Sequence, residues 1–323
     1  MVFCQLMNWD FCIIVGQIAS RFFYGLIKAE TYGNYHWFVN MINSPVNTNL
    51  LSCLCGAGDF KRIHTFKTPP EGETTFDFSS FGEYRRDLFL CGLCGHFISV
   101  HKMVSSNMYR GEYVDKKYID QDGIRRTFEK IIALPPSQSD NTGRVKRILD
   151  FARNHFPAAR FSERKPSLLD IGSGLCVFPY KMKEAGWDPT ALDPDPRSCN
   201  HAEKVVGIKA VCADFLKYRD LGKFDVVTFN KVLEHVKDPV SMLAKAKENL
   251  LEGGFVYVEL PDGEAAIKAG PERQEFNIDH FHIFSMSSLS MLVKRAGFYL
   301  KAAERLRDPS GKYTLRGFLT LSV

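Results

Sequence analysis

The sequence holds little that would tie it to a bilayer or to nucleic acid. Its apolar N-terminal run, Phe11–Ser20, is stopped by Arg21 and is too short to span a membrane. No basic stretch precedes that run; Asp10 does, so a secretory signal is not expected. Positive charge is barely in excess, with 42 Lys and Arg against 37 Asp and Glu. A net charge of +5 is far from the basic signature of a dedicated nucleic-acid binder, so neither a membrane nor nucleic acid is the expected partner. No internal repeat or low-complexity tract is present, which removes solenoids and tail-like segments. What remains is an ordinary globular composition, 45% apolar and 24% charged in 323 residues, with room for about two domains. The first forty residues fit no motif; they read as an extra packed segment or as an upstream extension, with Met41 as an alternative start.

The nine cysteines are unevenly spread. Cys4, Cys12, Cys176, Cys199 and Cys212 stand alone, whereas Cys53/Cys55 and Cys91/Cys94 are tight pairs, each followed by glycine (Gly56, Gly95). Close pairs among scattered thiols suit a reducing, cytoplasmic setting and a metal better than a disulfide framework. Four thiolates converging from two turns match tetrahedral zinc, of a closed structural kind; reduced, metal-free thiols are the alternative. The C-x2-C-G half is the stronger signal, and His64, His96 or His101 could replace a sulfur in the C-x-C half. The expected organisation is an N-terminal extension over 1–49, a zinc-binding module over 50–104, a helical connector over 105–143 and an α/β domain over 144–323. Within the connector, Tyr109, Tyr113 and Tyr118 fall on one side of a helix, either packing between domains or walling a substrate. The polar stretch 134–143 reads as a linker, and Arg144–His155 as a helix.

From Pro166 onward, short apolar runs alternate with helical patterns, which implies a parallel sheet covered by helices. The strands expected are Ser167–Ile171, Asp188–Leu192, Lys209–Cys212, Phe224–Asn230 and Gly254–Glu259. Their helices fall near Phe178–Ala185, Ser198–Val206 and Pro239–Leu250. A helix over Phe284–Gly297, capped by Ser285, and an antiparallel pair, Phe298–Arg307 with Lys312–Val323, close the chain. The first strand runs into Gly172-Ser173-Gly174, a tight turn before a helix. Strand, glycine turn and helix N-terminus together make a cradle of the nucleotide-binding kind. Val177 stands where a dinucleotide fingerprint has its third glycine. Acids close the next strands. Asp193, about twenty residues past the turn, can accept both hydroxyls of a ribose. Asp214 with Phe215 could bind and stack an adenine, and Asn230 ends the fourth strand. The bland alternative for each Asp is a helix cap; taken together, in this order, they read as a nucleoside site.

These stretches (LLDIGSG, ALDPDP, ADF, FDVVTFNKVLEHVKDP and LEGGFVYVELPD) resemble the successive motifs of class I S-adenosylmethionine-dependent methyltransferases, over roughly Arg144 to Val323. The resemblance implies a doubly wound, mostly parallel seven-stranded Rossmann-like sheet. It implies that Asp170, Gly172, Ser173 and Gly174 line the methionine part of the cofactor. Asp193 would hold its ribose, Asp214 and Phe215 its adenine, and Asn230 would close the site. A paired-cysteine module ahead of such a domain is similar to the C-methyltransferases of nucleotide-linked keto-sugars. Their Tyr-x-Glu-His motif is matched by Asn277-Ile278-Asp279-His280, with Asn277 in place of tyrosine and Asp279 in place of glutamate. By that likeness His280 is the general base, His235 is a further active-site histidine and the acceptor is a nucleotide-sugar.

Histidine suits proton abstraction because its pKa lies near working pH. If extended, His280 and His282 would share a face with Asp279 opposite; a loop is expected instead, so that Asp279 and His280 both face the site. A zinc held by His235, His280 and His282 is the competing reading, and a capping or core role is the bland one for each. Other functions stay open: O- or N-methylation of another small metabolite, methylation of RNA or protein with the cysteine module as a recognition arm, and a non-catalytic cofactor-binding protein.

Overall fold

A computed structural model describes residues 51–73, 84–101 and 121–321, and the part from Ser52 onward belongs to one compact unit. The N-terminal extension and the Tyr109/Tyr113/Tyr118 stretch lie outside the described residues. Among those described, no helix is long and apolar enough to cross a membrane.

The large sheet contains β4 (Ser167–Ile171), β5 (Asp188–Asp193), β6 (Lys209–Cys212), β7 (Phe224–Asn230), β8 (Leu250–Pro261), β10 (Phe298–Arg307) and β11 (Tyr313–Leu321). Their spatial order is β10-β11-β8-β7-β4-β5-β6. The five strands from β4 to β8 pair in parallel, and β11 and β10 add antiparallel at one edge. Both faces of the central strands are buried, which explains apolar runs such as Leu168-Leu169 and Val226-Val227, each at 0% exposure. On one face, α2 (Asp140–His155) and α3 (Val177–Glu184) bury Ile148, Ala152, Phe178 and Met182. On the other, α5 (Pro239–Lys245) and α7 (Met286–Arg295) bury Leu243, Leu289 and Leu292. Ser285 caps α7 in a reciprocal capping box with Ser288.

Chain order doubles back at β4: β5 and β6 lie on one side of it, β7 and β8 on the other. Open α/β sheets bind ligands beside such a reversal, at the carboxyl ends of the strands. The expected strands sit within a residue or two of their observed bounds, except β8, which starts earlier, at Leu250. The stretch read as a linker is partly helical: Pro136–Gln138 forms a 3-10 turn, and Ser139 accepts from Thr142 N at 3.3 Å to start α2. Ahead of it, α1 (Gln121–Ile132) packs Phe128 against Cys176, Ala191 and Ala202. α4 (Pro196–His201) continues as a π-helical turn, Ala202–Val206.

The cysteine segment forms its own antiparallel sheet from β1 (Phe60–Phe66), β2 (Arg86–Cys91) and β3 (Phe97–His101). A fourth strand completes it, β9 (His282–Ile283), contributed by the connection from α6 (Gly263–Ala266) to α7. Phe66, Leu88 and Phe97 share a core with Ala266, Phe276 and Ile283. The cysteine sheet thus shares its packing with the later part of the chain; the boundary expected near residue 104 lies outside the described residues.

Candidate active site

At the tips of β4 and β7, Asp170 is 2% exposed and its Oδ1 accepts from Thr228 Oγ1 (2.6 Å) and Asn230 Nδ2 (2.7 Å). Burial pushes its carboxyl up to about 7, although those two donors pull the other way. The glycine turn follows directly. Gly172 N and Ser173 N donate to Leu192 O at 2.8 and 3.2 Å, which ties the turn to β5. Gly172 has φ of +67°, and a Cβ there would stand 2.7 Å from Val232 Cγ2, so only glycine fits.

Asp193, at the end of β5, is also buried. Its Oδ2 accepts from Gly174 N and its Oδ1 from Asp195 N, both at 2.9 Å. A carboxylate offers about four lone-pair positions, so acceptor capacity remains for two hydroxyls. Burial raises its pKa to about 6 against these bonds. Two buried acids on neighbouring strand tips thus flank a close-approach turn at the reversal point of the sheet. Asn230 Oδ1 is buried without a hydrogen-bond partner, a polar atom left over in the same crevice.

The adenine pair is placed differently. Asp214 lies at the surface after β6, where its Oδ1 caps Leu216 N at 3.0 Å and its Oδ2 meets Lys217 Nζ at 3.1 Å. Phe215 is 2% exposed and edge-on to Phe229 at 6.0 Å, so its ring belongs to the core and has little face left for a base.

Past Asn230, Lys231 takes a left-handed conformation, φ +60°. That conformation costs a non-glycine residue about 1–2 kcal/mol. The turn sends Val232 onto Gly172 and leads to Glu234 and His235. There the second group assembles. His235 Nδ1 lies 2.9 Å from Asp279 O and 3.6 Å from Asp279 Oδ2. His280 Nδ1 lies 2.8 Å from Glu275 O, and the two imidazoles meet edge to face at 4.8 Å. A carbonyl only accepts, so each neutral ring carries its proton on Nδ1 and presents Nε2 as the basic nitrogen. Burial depresses the pKa of His280, offset in part by Asp279 and reinforced by His235. Residues 277–281 form a loop, and His280 and Asp279 both contribute to this group. His282 does not join it: in β9 its Nδ1 meets buried His96 Nε2 at 3.0 Å. The zinc triad of His235, His280 and His282 is therefore not assembled, because β9 turns His282 towards the cysteine sheet.

In that sheet, Cys53 Sγ and Cys94 Sγ are 3.4 Å apart, and Cys55 Sγ and Cys91 Sγ 3.6 Å. All four sulfurs lie within 4.8 Å of one another. Tetrahedral zinc with Zn–S near 2.3 Å spaces its sulfurs by about 3.8 Å, so the donor set fits that ion. Gly56 and Gly95 make the expected turns with φ of +84° and +70°.

Sequence reasoning missed several residues. Thr228, the second donor to Asp170, is hidden inside a strand. Glu234 is fully buried, both carboxylate oxygens lack a hydrogen-bond partner, and one lies within 4.8 Å of ring nitrogens of His235 and His280. Its place beside His235 was the available signal. Glu259 on β8 binds Arg144 Nε at 2.9 Å and Arg316 Nε at 3.3 Å. Burial would raise its pKa, but Arg144, Lys231 and Arg316 hold it well below the usual range. This network braces β7, β8 and β11 under the crevice.

Residues 137–303 match a family model described as a methyltransferase domain. A ubiquinone biosynthesis O-methyltransferase of Caulobacter vibrioides is 32% identical over 108 residues, 31% of this chain and 43% of that protein. The mitochondrial enzyme of the same name from Schizosaccharomyces pombe is 30% identical over 126 residues, 34% and 46% of the two chains. The chain thus spans less than half the length of these relatives. Among solved structures, the 1,6-didemethyltoxoflavin N1-methyltransferase of Burkholderia thailandensis aligns over 74% of this chain and 96% of its own, at 18% identity and a TM-score of 0.49.

Proposed function

We propose, from the premise that the chain belongs to the methyltransferase-domain family, that it moves a methyl group from S-adenosylmethionine to a small-molecule acceptor. One observation carries this reading: two buried carboxylates, Asp170 and Asp193, flank the Gly172 turn at the sheet's reversal point. Asp193, with two lone-pair positions in use and two to spare, suits the ribose hydroxyls. Asp170 suits the cofactor's ammonium group, since a cation restores the charged form that burial disfavours. Gly172, Ser173 and Gly174 let the donor approach the backbone. Asn230, with an oxygen to satisfy, closes the cradle, and Asp214, after β6, would bind the adenine. When bound, S-adenosylmethionine supplies a methyl already electrophilic on its sulfonium. Calorimetry with S-adenosylhomocysteine tests the site: binding that Asp193→Ala removes is expected, and no binding to the wild type ends the reading.

The chain's own contribution is alignment and proton removal. Positioning can supply several kcal/mol of the barrier. His280, held neutral by burial and with Nδ1 fixed on Glu275 O, takes the acceptor's proton on Nε2; His235 and Asp279 shape its surroundings. Such a base serves a carbon acid beside a keto group, as in the nucleotide-sugar reading, or a hydroxyl. The names of the Caulobacter and Schizosaccharomyces relatives favour oxygen, and the Asp279-His280 motif behind the paired cysteines favours carbon. A labelled-methyl screen over nucleotide-sugars and small phenols separates them: product only with phenols removes the sugar. In the cysteine sheet, Cys53, Cys55, Cys91 and Cys94 would hold a structural zinc.

A further inference from the structure

The loop that carries Asp279 and His280 has no regular structure, yet its main chain is gripped from the cysteine sheet. Arg86 on β2 is fully buried, and its Nη1 donates to Phe276 O. Its Nη2 donates to Glu73 Oε1 at 2.8 Å, and the same oxygen accepts from Ile278 N at 2.8 Å. Tyr84 closes the group: its hydroxyl donates to Glu73 Oε2 at 2.5 Å and accepts from Arg86 Nε at 3.2 Å. The guanidinium rests 3.8 Å above the ring of Phe66. One carbonyl and one N–H, two residues apart, are thus fixed by a buried ion pair whose side chains are 0% and 1% exposed. The next two residues are Asp279, whose carbonyl meets His235, and His280, whose own N–H donates to Asn277 O at 3.0 Å.

A buried ion pair adds little net stability over apolar packing of the same shape, because desolvation offsets attraction. What this one adds is geometry. The forked guanidinium and the two-oxygen carboxylate each bridge β2 to the loop, which a hydrophobic pair could not do. We propose that Glu73 and Arg86 are positioning residues for proton removal: they set the Phe276–Ile278 main chain and, through it, the imidazole of His280 against His235. The inference rests on the function proposed above. It assigns the cysteine sheet a role as the scaffold of the acceptor side rather than as a recognition arm.

The test uses the full chain, Arg86→Lys and Glu73→Gln. Lysine keeps the charge but loses the fork; glutamine keeps the shape but loses the ion pair. The first readout needs no acceptor: the NMR titration of His280 in protein labelled with 13C-histidine, assigned through His280→Asn. In the wild type, burial holds that pKa below the ordinary value, with Glu234, His235 and Asp279 as the ionisable neighbours. Release of the loop admits water, so His280 should titrate higher in both variants. The second readout is methyl transfer to whichever acceptor the screen identifies. There kcat should fall about 10- to 100-fold, as expected for a small misplacement, with KM and S-adenosylhomocysteine affinity within about twofold. Ile148→Ala, a buried site in the separate cluster under α2, serves as a control of reduced stability that should leave the His280 titration in place. If a charged-pair variant does not fold, Tyr84→Phe replaces it, with the same direction and a smaller size. An unchanged His280 titration, or a shift equal to that of the Ile148→Ala control, overturns the proposal. A raised titration in a protein whose His280→Asn variant still transfers methyl normally upholds the clamp and removes the base assignment instead.

Discussion

The cofactor crevice and the imidazole group are joined by one six-residue stretch, Asn230 to His235, yet the crevice and the imidazole loop are built in opposite ways. In the crevice the buried side chains Asp170, Asp193 and Asn230 sit on strand tips, and their partners come from the adjoining strand or turn, as with Asp170, Thr228 and Asn230. The parallel sheet fixes those tips before any ligand arrives. The imidazole loop has no ladder of its own. It is held at one end by Glu73 and Arg86, about 200 residues earlier in the chain, and at the other by β9 pairing with β3. Donor binding and proton removal should therefore fail separately when either region is damaged.

The largest separation is expected from His280→Asn. Turnover should fall about 10²- to 10⁴-fold, the usual contribution of a general base, with S-adenosylhomocysteine affinity within about twofold by calorimetry. Loss of that affinity would mean the two regions are one. Asp193→Ala is the mirror case. Removing two charge-assisted hydrogen bonds, at about 1.5–3 kcal/mol each, should weaken S-adenosylhomocysteine at least about 100-fold. The thermal midpoint of the cysteine sheet, followed by hydrogen exchange of β1–β3, should not move with it.

Zinc sharpens the contrast from the other side. Metal analysis should find about one zinc per chain, since four thiolates complete a structural site. Less than about a tenth of an equivalent would remove the ion from the account. Cys91→Ser should lower the unfolding midpoint by about 3–5 °C, taking roughly 2–3 kcal/mol for the lost site in a chain of this size. It should slow methyl transfer severalfold through the loop while sparing S-adenosylhomocysteine binding.

That contrast also governs what the sequence makes legible. The succession of β4 to β8 along the chain, the glycine turn and the acids at the strand ends follow from contiguous patterns: an apolar strand, then a polar tip, repeated. Each can be read within a dozen residues, as with Asp170 at the end of β4, Gly172 in the turn and Asp193 at the end of β5. Phe215 shows its limit, since an aromatic after an acid fits a stacking surface or a core equally, and only the packing on Phe229 decides. Glu73, Tyr84 and Arg86 could not be found this way at all. Their partners are main-chain atoms of Phe276 and Ile278, which leave no complementary side chain in the sequence. His282 reads from the sequence as a structural histidine, and its place in β9, paired with β3 of the cysteine sheet, gives the reason.

The smallest effect is a pH dependence confined to the crevice. Burial raises Asp193 to about 6, while ribose hydroxyls need its ionised form as acceptor. Donor affinity should therefore be full above about pH 8 and fall as pH drops through 7 and 6, by at most about tenfold per unit for each linked proton. The sense is opposite to that of a histidine gaining a partner, whose binding would strengthen on acidification. S-adenosylhomocysteine calorimetry between about pH 5 and 8 reads this directly. Asp193→Asn, which cannot titrate, should flatten whatever part of the slope belongs to this residue; the part left belongs to Asp170, raised to about 7 by the same burial. If the slope survives in full in the asparagine variant, Asp193 is not the acid that the donor feels. His280, lying outside the crevice, should leave that slope untouched when changed to asparagine.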